Sequence, residues 1–467
     1  MSLISLEEAL RMRTAEVRDK HKTYLSTPHA SIQILTNADR QYVRAQGTRL
    51  WDLDGHEYLD FVSGYGSINV GHNHPRLLEA VRRVEEMPKL VQVSLQQLPA
   101  ALAHNLAQVA PGNLKRSFFC NSGAEAVEGA LKIARAATGR PGFISCEGGF
   151  HGKTFGALSV SGRPKYRTPY EPLLSGCTLV PFGNLDALET ALKAGQAAAF
   201  IVEPIQGEGG VVTPPPGYLA QARRLCAQHG TLFIADEVQT GFGRTGALFA
   251  CADEGVEPDI LCLSKALGGG MVPAGAYLTT EEIWKKAYGT YDTSLLHTST
   301  FGGYWGNTLA CAVAITALQV TLEEDLPARA RENGAYFLDG LRRLKGVYPL
   351  LKDVRGRGLM VGIELADEGK GLLAKLSTSI SEKVVGDVGQ VSSLVSVELL
   401  NNHRVLSVYT LNNPSVIRLY PPLNVGREDL DYVLESLEQI LSRRKSFLGA
   451  ATSRLGGLVQ TYSRNRQ

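Results

Sequence analysis

The chain has 467 residues, more than one hydrophobic core usually organises, with 44% hydrophobic and 20% charged residues as in an ordinary soluble globular protein. Its 48 basic and 46 acidic side chains leave a net charge of +2, which excludes the strongly basic balance of a nucleic-acid or anionic-membrane binder. The seven cysteines (120, 146, 177, 226, 251, 262 and 311) form no Cys-x-x-Cys pair and read as buried thiols of a reducing compartment, not as a disulfide or zinc framework. The opening MSLISLEEALRMRTAEV carries acids inside a helical pattern and lacks the apolar segment of a secretory signal. No run is long enough to span a bilayer, so a cytoplasmic address is expected by elimination.

Taken in chain order, residues 1–45 read as helical and polar, and RLWDLDGHEYLDFVSG alternates as a hairpin around Asp54-Gly55. Helical stretches such as 76–87 and 96–109 then alternate with short apolar runs: RSFFC, GFISC, CTLVPF, AAFIVEPI, TLFIADEV, ILCLS and GAYLTT. Runs apolar throughout suit strands covered on both faces, so an α/β fold with a mainly parallel sheet is expected over 71–325. A helix near 327–345 follows, then strands in GLMVGIEL, VLSVYTLN and VIRLYPPL and a closing helix at 427–445. The expected second, smaller α/β domain combines 326–467 with the N-terminal segment 1–70. Residues 368–398 match no clear element, and the last twenty are basic and read as a surface helix or frayed tail.

Four segments carry chemistry. In FFCNSGAE a strand leads into Ser122-x-x-Glu125, a capping box at a helix start. Its exposed N–H groups suit an anion, and Gly123 allows close approach; by itself the motif reads rather as a capped helix without a ligand. In TLFIADEVQ an apolar strand ends in Asp236 and Glu237, placing a carboxylate where α/β sheets bind ligands; a pair of strand-ending acids is the plain alternative. In LCLSKALGGG, Lys265 directly follows an apolar strand, where partial desolvation lowers an amine's pKa and favours Schiff-base formation, although most lysines are surface residues. The fourth, Gly241-Phe-Gly-Arg-Thr-Gly246, matches a dinucleotide fingerprint but lies past its strand and opens no helix, so a structural glycine loop is expected. His72 and His74 have no third ligand nearby, and Pro214–Gly217 reads as a rigid surface turn.

In this order the segments resemble the class III family of pyridoxal-phosphate enzymes, the ω-aminotransferases and their relatives, from about Leu50 to Leu423. The diagnostic stretch is ADEVQTGFGRTG, with Lys265 twenty-nine residues beyond Asp236. The resemblance implies a fold type I transferase whose cofactor, pyridoxal 5'-phosphate, is carried by Lys265. It implies that Asp236 pairs with the pyridine nitrogen and that Gln239 lies near the phenolic oxygen. Ser122, Gly123 and Ala124 would hold the phosphate, with Phe150 stacked on the ring and His151 beside it. Thr300 would reach the neighbouring subunit's phosphate, in a homodimer with shared sites that could assemble further into a tetramer.

The resemblance also assigns a substrate site to Arg418, Glu208, Lys153 and Tyr65. Arg418 would grip an α-carboxylate bidentately, and Glu208 would pair with it when the substrate has none. FFCNSG, FHGK, PFGN, PPPGYL, PDILCLSKALGGG and TLNN resemble the diamine (putrescine) aminotransferases of the family. Lys153 stands where relatives that grip a distal carboxylate often carry arginine. The expected reaction moves the terminal amino group of a diamine or ω-amino compound to 2-oxoglutarate or pyruvate. The alternatives are a transaminase of ornithine, acetylornithine or 4-aminobutyrate type, a decarboxylase or aminomutase with the same cofactor, a non-catalytic binding protein, and, remotely, an NAD-dependent oxidoreductase using Gly241–Gly246. Two departures bear on the donor: Tyr304, Trp305 and Gly306 are extra in FGGYWGNTLACA, where Thr308 also replaces a proline, and 368–398 is long.

Overall fold

A computed structural model describes residues 3–91, 94–297, 306–366 and 391–443. The apolar runs form one seven-stranded sheet from β4 (Arg116–Cys120), β5 (Gly142–Cys146), β6 (Cys177–Val180), β7 (Ala197–Val202), β8 (Leu232–Asp236), β9 (Ile260–Leu263) and β10 (Gly275–Thr279). Its order is β4-β10-β9-β8-β7-β5-β6, with β10 antiparallel to both neighbours and the pairs from β9 to β6 parallel. Every residue of β5, β7, β9 and β10 is buried, as a sheet covered on both faces requires.

Successive side chains divide between two cores. Ile201, Ile234 and Cys262 pack with Val127, Ala130 and Ile133 of the helix Gly123–Thr138, while Phe200, Phe233 and Leu261 pack with Leu188, Leu219 and Leu318 on the opposite face. The Gly123–Thr138 helix lies very close to the sheet at Gly129, where an added Cβ would come within 2.1 Å of the Tyr277 ring. That ring has little room to yield, being stacked on Phe118 with centroids 4.7 Å apart.

Two four-stranded sheets flank this body. The hairpin expected at Asp54-Gly55 joins β2 (Arg49–Asp52) to β3 (Glu57–Asp60), its turn held by Asp52 Oδ1 accepting the N–H groups of Asp54 and His56. A strand β1 (Tyr42–Gln46) pairs with β2, inside the span read as helical; helix persists only to Leu35. Gln41 and Leu53 then begin the ladder whose partner strand lies beyond a turn, a contact that overrides local pattern. The other sheet joins β11 (Leu351–Arg357), β12 (Met360–Leu365), β15 (Val416–Leu419) and β14 (Val408–Tyr409) in that order, while β13 (Val405–Leu406) pairs in parallel with β3. β11 escapes sequence reading because LKDVRGR is mostly polar and only Leu351 and Val354 are buried.

Within the span left unassigned, Val391–His403 is a helix packed beside β13 and β14; 367–390 fall outside the described residues, as do Thr300, Tyr304, Trp305 and the tail from 444. The closing helix is Arg427–Ser442. Among the described residues no helix is long and apolar enough to cross a membrane.

Gly129→Ala tests the helix-to-sheet contact. Alanine favours a helix by about 1 kcal/mol over glycine, but overpacking a buried contact costs about 1–3 kcal/mol. A lowered thermal unfolding midpoint is expected; a raised midpoint would mean that the helix lifts off the sheet freely.

Candidate active site

The parallel strands deliver polar groups to one edge. β5 leads into the Gly148–Gly152 loop with Phe150 and His151, β7 into Glu203 and Glu208, β8 ends at Asp236, and β9 runs into Ser264 and Lys265. These segments enclose a cavity of about 280 Å³ that is also lined by Gly123, Ala124, Lys153 and Gln239. A wider cleft of about 890 Å³ lies at the sheet's other end, lined by Arg223, Asp259, Glu282 and Lys286. Among its charges Arg223 pairs with Asp259 and Lys286 with Glu282, each at 2.8 Å. The smaller cavity is therefore the one with convergent chemistry.

Asp236 is buried at the end of β8, with His151 Nδ1 2.7 Å from its Oδ2 and the Val238 N–H donating to its Oδ1 at 3.2 Å. Burial works against a charged His151, yet the bond to Asp236 and that carboxylate's charge prevail and raise the imidazole's pKa above its ordinary value. A protonated imidazole donating to Asp236 gives the buried carboxylate a positively charged partner. Glu203 lies beside this pair, its two oxygens accepting the N–H groups of Phe150 at 2.8 Å and Gly207 at 3.0 Å. Burial raises its pKa to about 7, against the opposing pull of His151.

Lys265 opens a short turn, Lys265–Gly268, with φ of 47°, a left-handed conformation that costs a non-glycine residue on the order of 1–3 kcal/mol. The turn is tied down by Ser264 Oγ, which donates to the Ala274 carbonyl at 2.7 Å. Enclosure lowers the amine's pKa, opposed by the charges of Glu208, Asp236 and Glu203. Across the cavity stands the N-terminus of the Gly123–Thr138 helix. Ser122 Oγ caps it by accepting the Glu125 N–H at 3.2 Å, and Glu125 reaches back to the Asn121 N–H rather than to that of Ser122. Gly123 is required by packing, since its Cβ would lie 2.8 Å from Val238 Cγ1.

On the remaining side, Arg418 on β15 makes a bidentate pair with Glu208, Nη1 to Oε1 at 2.7 Å and Nη2 to Oε2 at 2.5 Å. The guanidinium is 1% exposed and lies 4.9 Å from the Tyr65 ring centroid and 5.7 Å from that of Tyr420. Burial would raise the Glu208 pKa, but Arg418 and the Leu411 N–H lower it below the ordinary carboxylate value. Gln239 is held between the Tyr65 carbonyl at 3.4 Å and the Tyr420 hydroxyl at 3.3 Å. Tyr65 belongs to a run, Ser63 to Gly66, with positive φ throughout. Arg244 pins this run from below, donating to Ser63 Oγ, Asn69 Oδ1 and the Leu359 and Pro421 carbonyls. The Gly241–Gly246 loop is thus a packed joint around a buried guanidinium, and it leads only to a single turn at Ala250–Asp253.

Of the residues singled out in the sequence, Gly123, Ala124, Phe150, His151, Lys153, Glu208, Asp236, Gln239 and Lys265 line one cavity. Arg418 and Tyr65 stand behind Glu208, Ser122 turns its hydroxyl into the helix cap, and Thr300 lies outside the described residues. Sequence reasoning passed over Glu203, Arg244 and Tyr420. Glu203 had a signal, an acid directly after the wholly apolar AAAFIV, which repeats the pattern that drew notice to Asp236.

Comparison with known proteins agrees with this geometry. The family model for aminotransferase class-III matches residues 34–441. The chain is 38% identical over 460 residues to the aminotransferase PigE of Serratia sp. (strain ATCC 39006), covering 92% of this chain and 54% of that protein. It therefore spans about half the length of that curated relative. The crystal structure of an ornithine aminotransferase from Toxoplasma gondii superposes with a TM-score of 0.81 at 33% identity, covering 96% of this chain and 99% of that one. An amine transaminase from an uncultivated Pseudomonas species, solved in its PLP-bound form, gives a TM-score of 0.75 at 30% identity over 86% and 95% of the two chains.

Glu203 provides a pH test. A carboxyl whose pKa lies higher in the folded than in the unfolded chain favours the folded state at low pH and loses that advantage as pH rises through its folded value. For Glu203 that loss is complete above about 7. His151, also raised, acts in the same direction. Glu203→Gln should therefore flatten the fall in thermal midpoint between about pH 5 and about pH 8. An unchanged slope would show that Glu203 does not titrate in this window.

Proposed function

The chain belongs to the class-III aminotransferase family, pyridoxal-phosphate-dependent enzymes of fold type I, and from that premise we propose that it moves the terminal amino group of a diamine or other ω-amino compound, putrescine-like, to a keto acid such as 2-oxoglutarate or pyruvate. The donor set supports a fit to the cofactor: an enclosed amine, a facing carboxylate, a flat aromatic ring and a capped helix N-terminus around one cavity. When bound, the cofactor supplies an electron sink for the substrate carbon that carries the amine.

The residues then divide the work. Asp236, braced by His151, would hold the positive charge of the pyridine nitrogen, and Gln239 would take the phenolic oxygen. Phe150, its backbone fixed by Glu203, would pack on the ring. The N-terminus of Gly123–Thr138, with Ser122, Gly123 and Ala124, would receive the phosphate. Lys265 Nζ would hold the cofactor, and its free amine, of lowered pKa, would move the proton on the substrate carbon. We assign the second phosphate contact to Thr300 from a partner subunit in a homodimer. The apolar side chains of Leu95, Phe155, Tyr291 and Leu296 are exposed and would suit such a contact.

The observation that carries the reading is the Arg418–Glu208 pair. A buried guanidinium left unpaired would be costly, so Glu208 satisfies it while a donor without an α-carboxylate occupies the site. The keto acid takes over the same bidentate contact in the second half of the cycle. A second reading, a donor of ornithine type, is favoured by the 33% identity to the Toxoplasma gondii ornithine aminotransferase. Lys153 lines the cavity with its ammonium 5.5 Å from the Tyr166 ring centroid.

Product analysis with putrescine or ornithine and 2-oxoglutarate tests both. Glutamate formed in equal amount to the putrescine consumed is the expected result. Preferential use of ornithine would move the donor assignment to the second reading. Release of CO₂, or an isomerised donor without keto-acid consumption, would overturn transamination.

A further inference from the structure

The Glu208 carboxylate is held by more than Arg418. Its Oε2 also accepts the Leu411 N–H at 2.8 Å, and its own carbonyl accepts the Asn412 N–H at 2.8 Å. The Leu411–Asn413 loop that provides both donors is fixed from outside. Arg163 donates to the Leu411 carbonyl, Asn412 Nδ2 donates to the Gly148 carbonyl at 2.8 Å, and the Asn413 carbonyl accepts from Thr410 Oγ1 at 2.8 Å. Arg163 is itself positioned against the Tyr166 ring, beside the cavity wall that carries Lys153.

This geometry has an asymmetric consequence. When an incoming carboxylate takes Arg418, both guanidinium bonds to Glu208 are replaced in kind. The Leu411 bond is not, because its N–H is fixed in a loop that points it at the resting place of Glu208. A half-buried N–H left without an acceptor is penalised, and the penalty falls only on the state in which Glu208 has swung away. We propose that the Leu411–Asn413 loop, locked by Arg163 and Asn412, is a latch on Glu208 that sets how readily Arg418 is released to the keto acid. The inference rests on the assignment of Arg418 and Glu208 given above. It makes Arg163 and Asn412 positioning residues that act through backbone.

The two half-reactions of the holoenzyme, followed separately by the absorbance of the bound cofactor, test the latch. Arg163→Ala and Asn412→Ala free the loop so that the Leu411 N–H can turn to water. Each should lower the half-saturating 2-oxoglutarate concentration about fivefold to tenfold, with the limiting rates of both half-reactions held within about twofold. Arg163→Lys, which keeps a donor for the Leu411 carbonyl, should remain near the wild type. Half-saturation that is unchanged or raised in both alanine variants, with cofactor absorbance intact, would overturn the latch. A wild-type protein that responds to no keto acid would instead overturn the transaminase reading, and the latch with it. The two failures are therefore distinguishable.

Discussion

An amine enclosed at the end of an apolar sheet must either lose its proton or be matched by nearby negative charge, and much of the site can be understood from how Lys265 meets that demand. Enclosure lowers its pKa, while Glu208, Asp236 and Glu203 oppose the shift. Each of those carboxyls needs its own compensation in the same enclosed place. Asp236 has His151, Glu208 has Arg418, and Glu203 has two backbone N–H groups and a pKa raised to about 7. The charges form a set in which removing one member leaves another buried without its partner, the situation that costs most in a protein interior.

Holding that set in register requires strained backbone and a brace. Lys265 and Tyr65 both take left-handed conformations that neither side chain favours. For Tyr65 the brace is Arg244, which reaches Ser63 and Asn69 from the N-terminal segment and the Leu359 and Pro421 carbonyls from the C-terminal part. The guanidinium has no carboxylate bonded to it among the described residues, and burial lowers its pKa to about 10. Four neutral acceptors therefore take the place of a counter-ion, joining segments far apart in the chain close to where Tyr65 meets Arg418.

The sequence was most legible where local pattern and tertiary environment agree. All seven strands of the central sheet are visible as apolar runs, most plainly β7 and β9, where burial on both faces leaves no polar position to blur them. Asp236 and Lys265 stood out as polar residues ending or following such runs. The elements missed owe their form to distant partners. β1 is a strand because β2 lies beside it, and β11 is mostly polar, with its ladder to β12 supplying the order. Glu203 was passed over although it directly follows β7, much as Asp236 ends β8. Arg244 was seen as part of a glycine loop, but its four acceptors come from separate stretches of chain that no local pattern reveals. The spacing of residues 150, 203, 236 and 265 likewise gives no sign of a common cavity, which comes from the parallel order of β5, β7, β8 and β9.

Reductive trapping of the bound cofactor followed by peptide mass mapping tests the central claim most directly. Borohydride is expected to fix the cofactor's mass to the peptide containing Lys265, and Lys265→Ala to abolish the adduct. Stoichiometric adduct on another lysine, or none in protein supplied with pyridoxal phosphate, would contradict it.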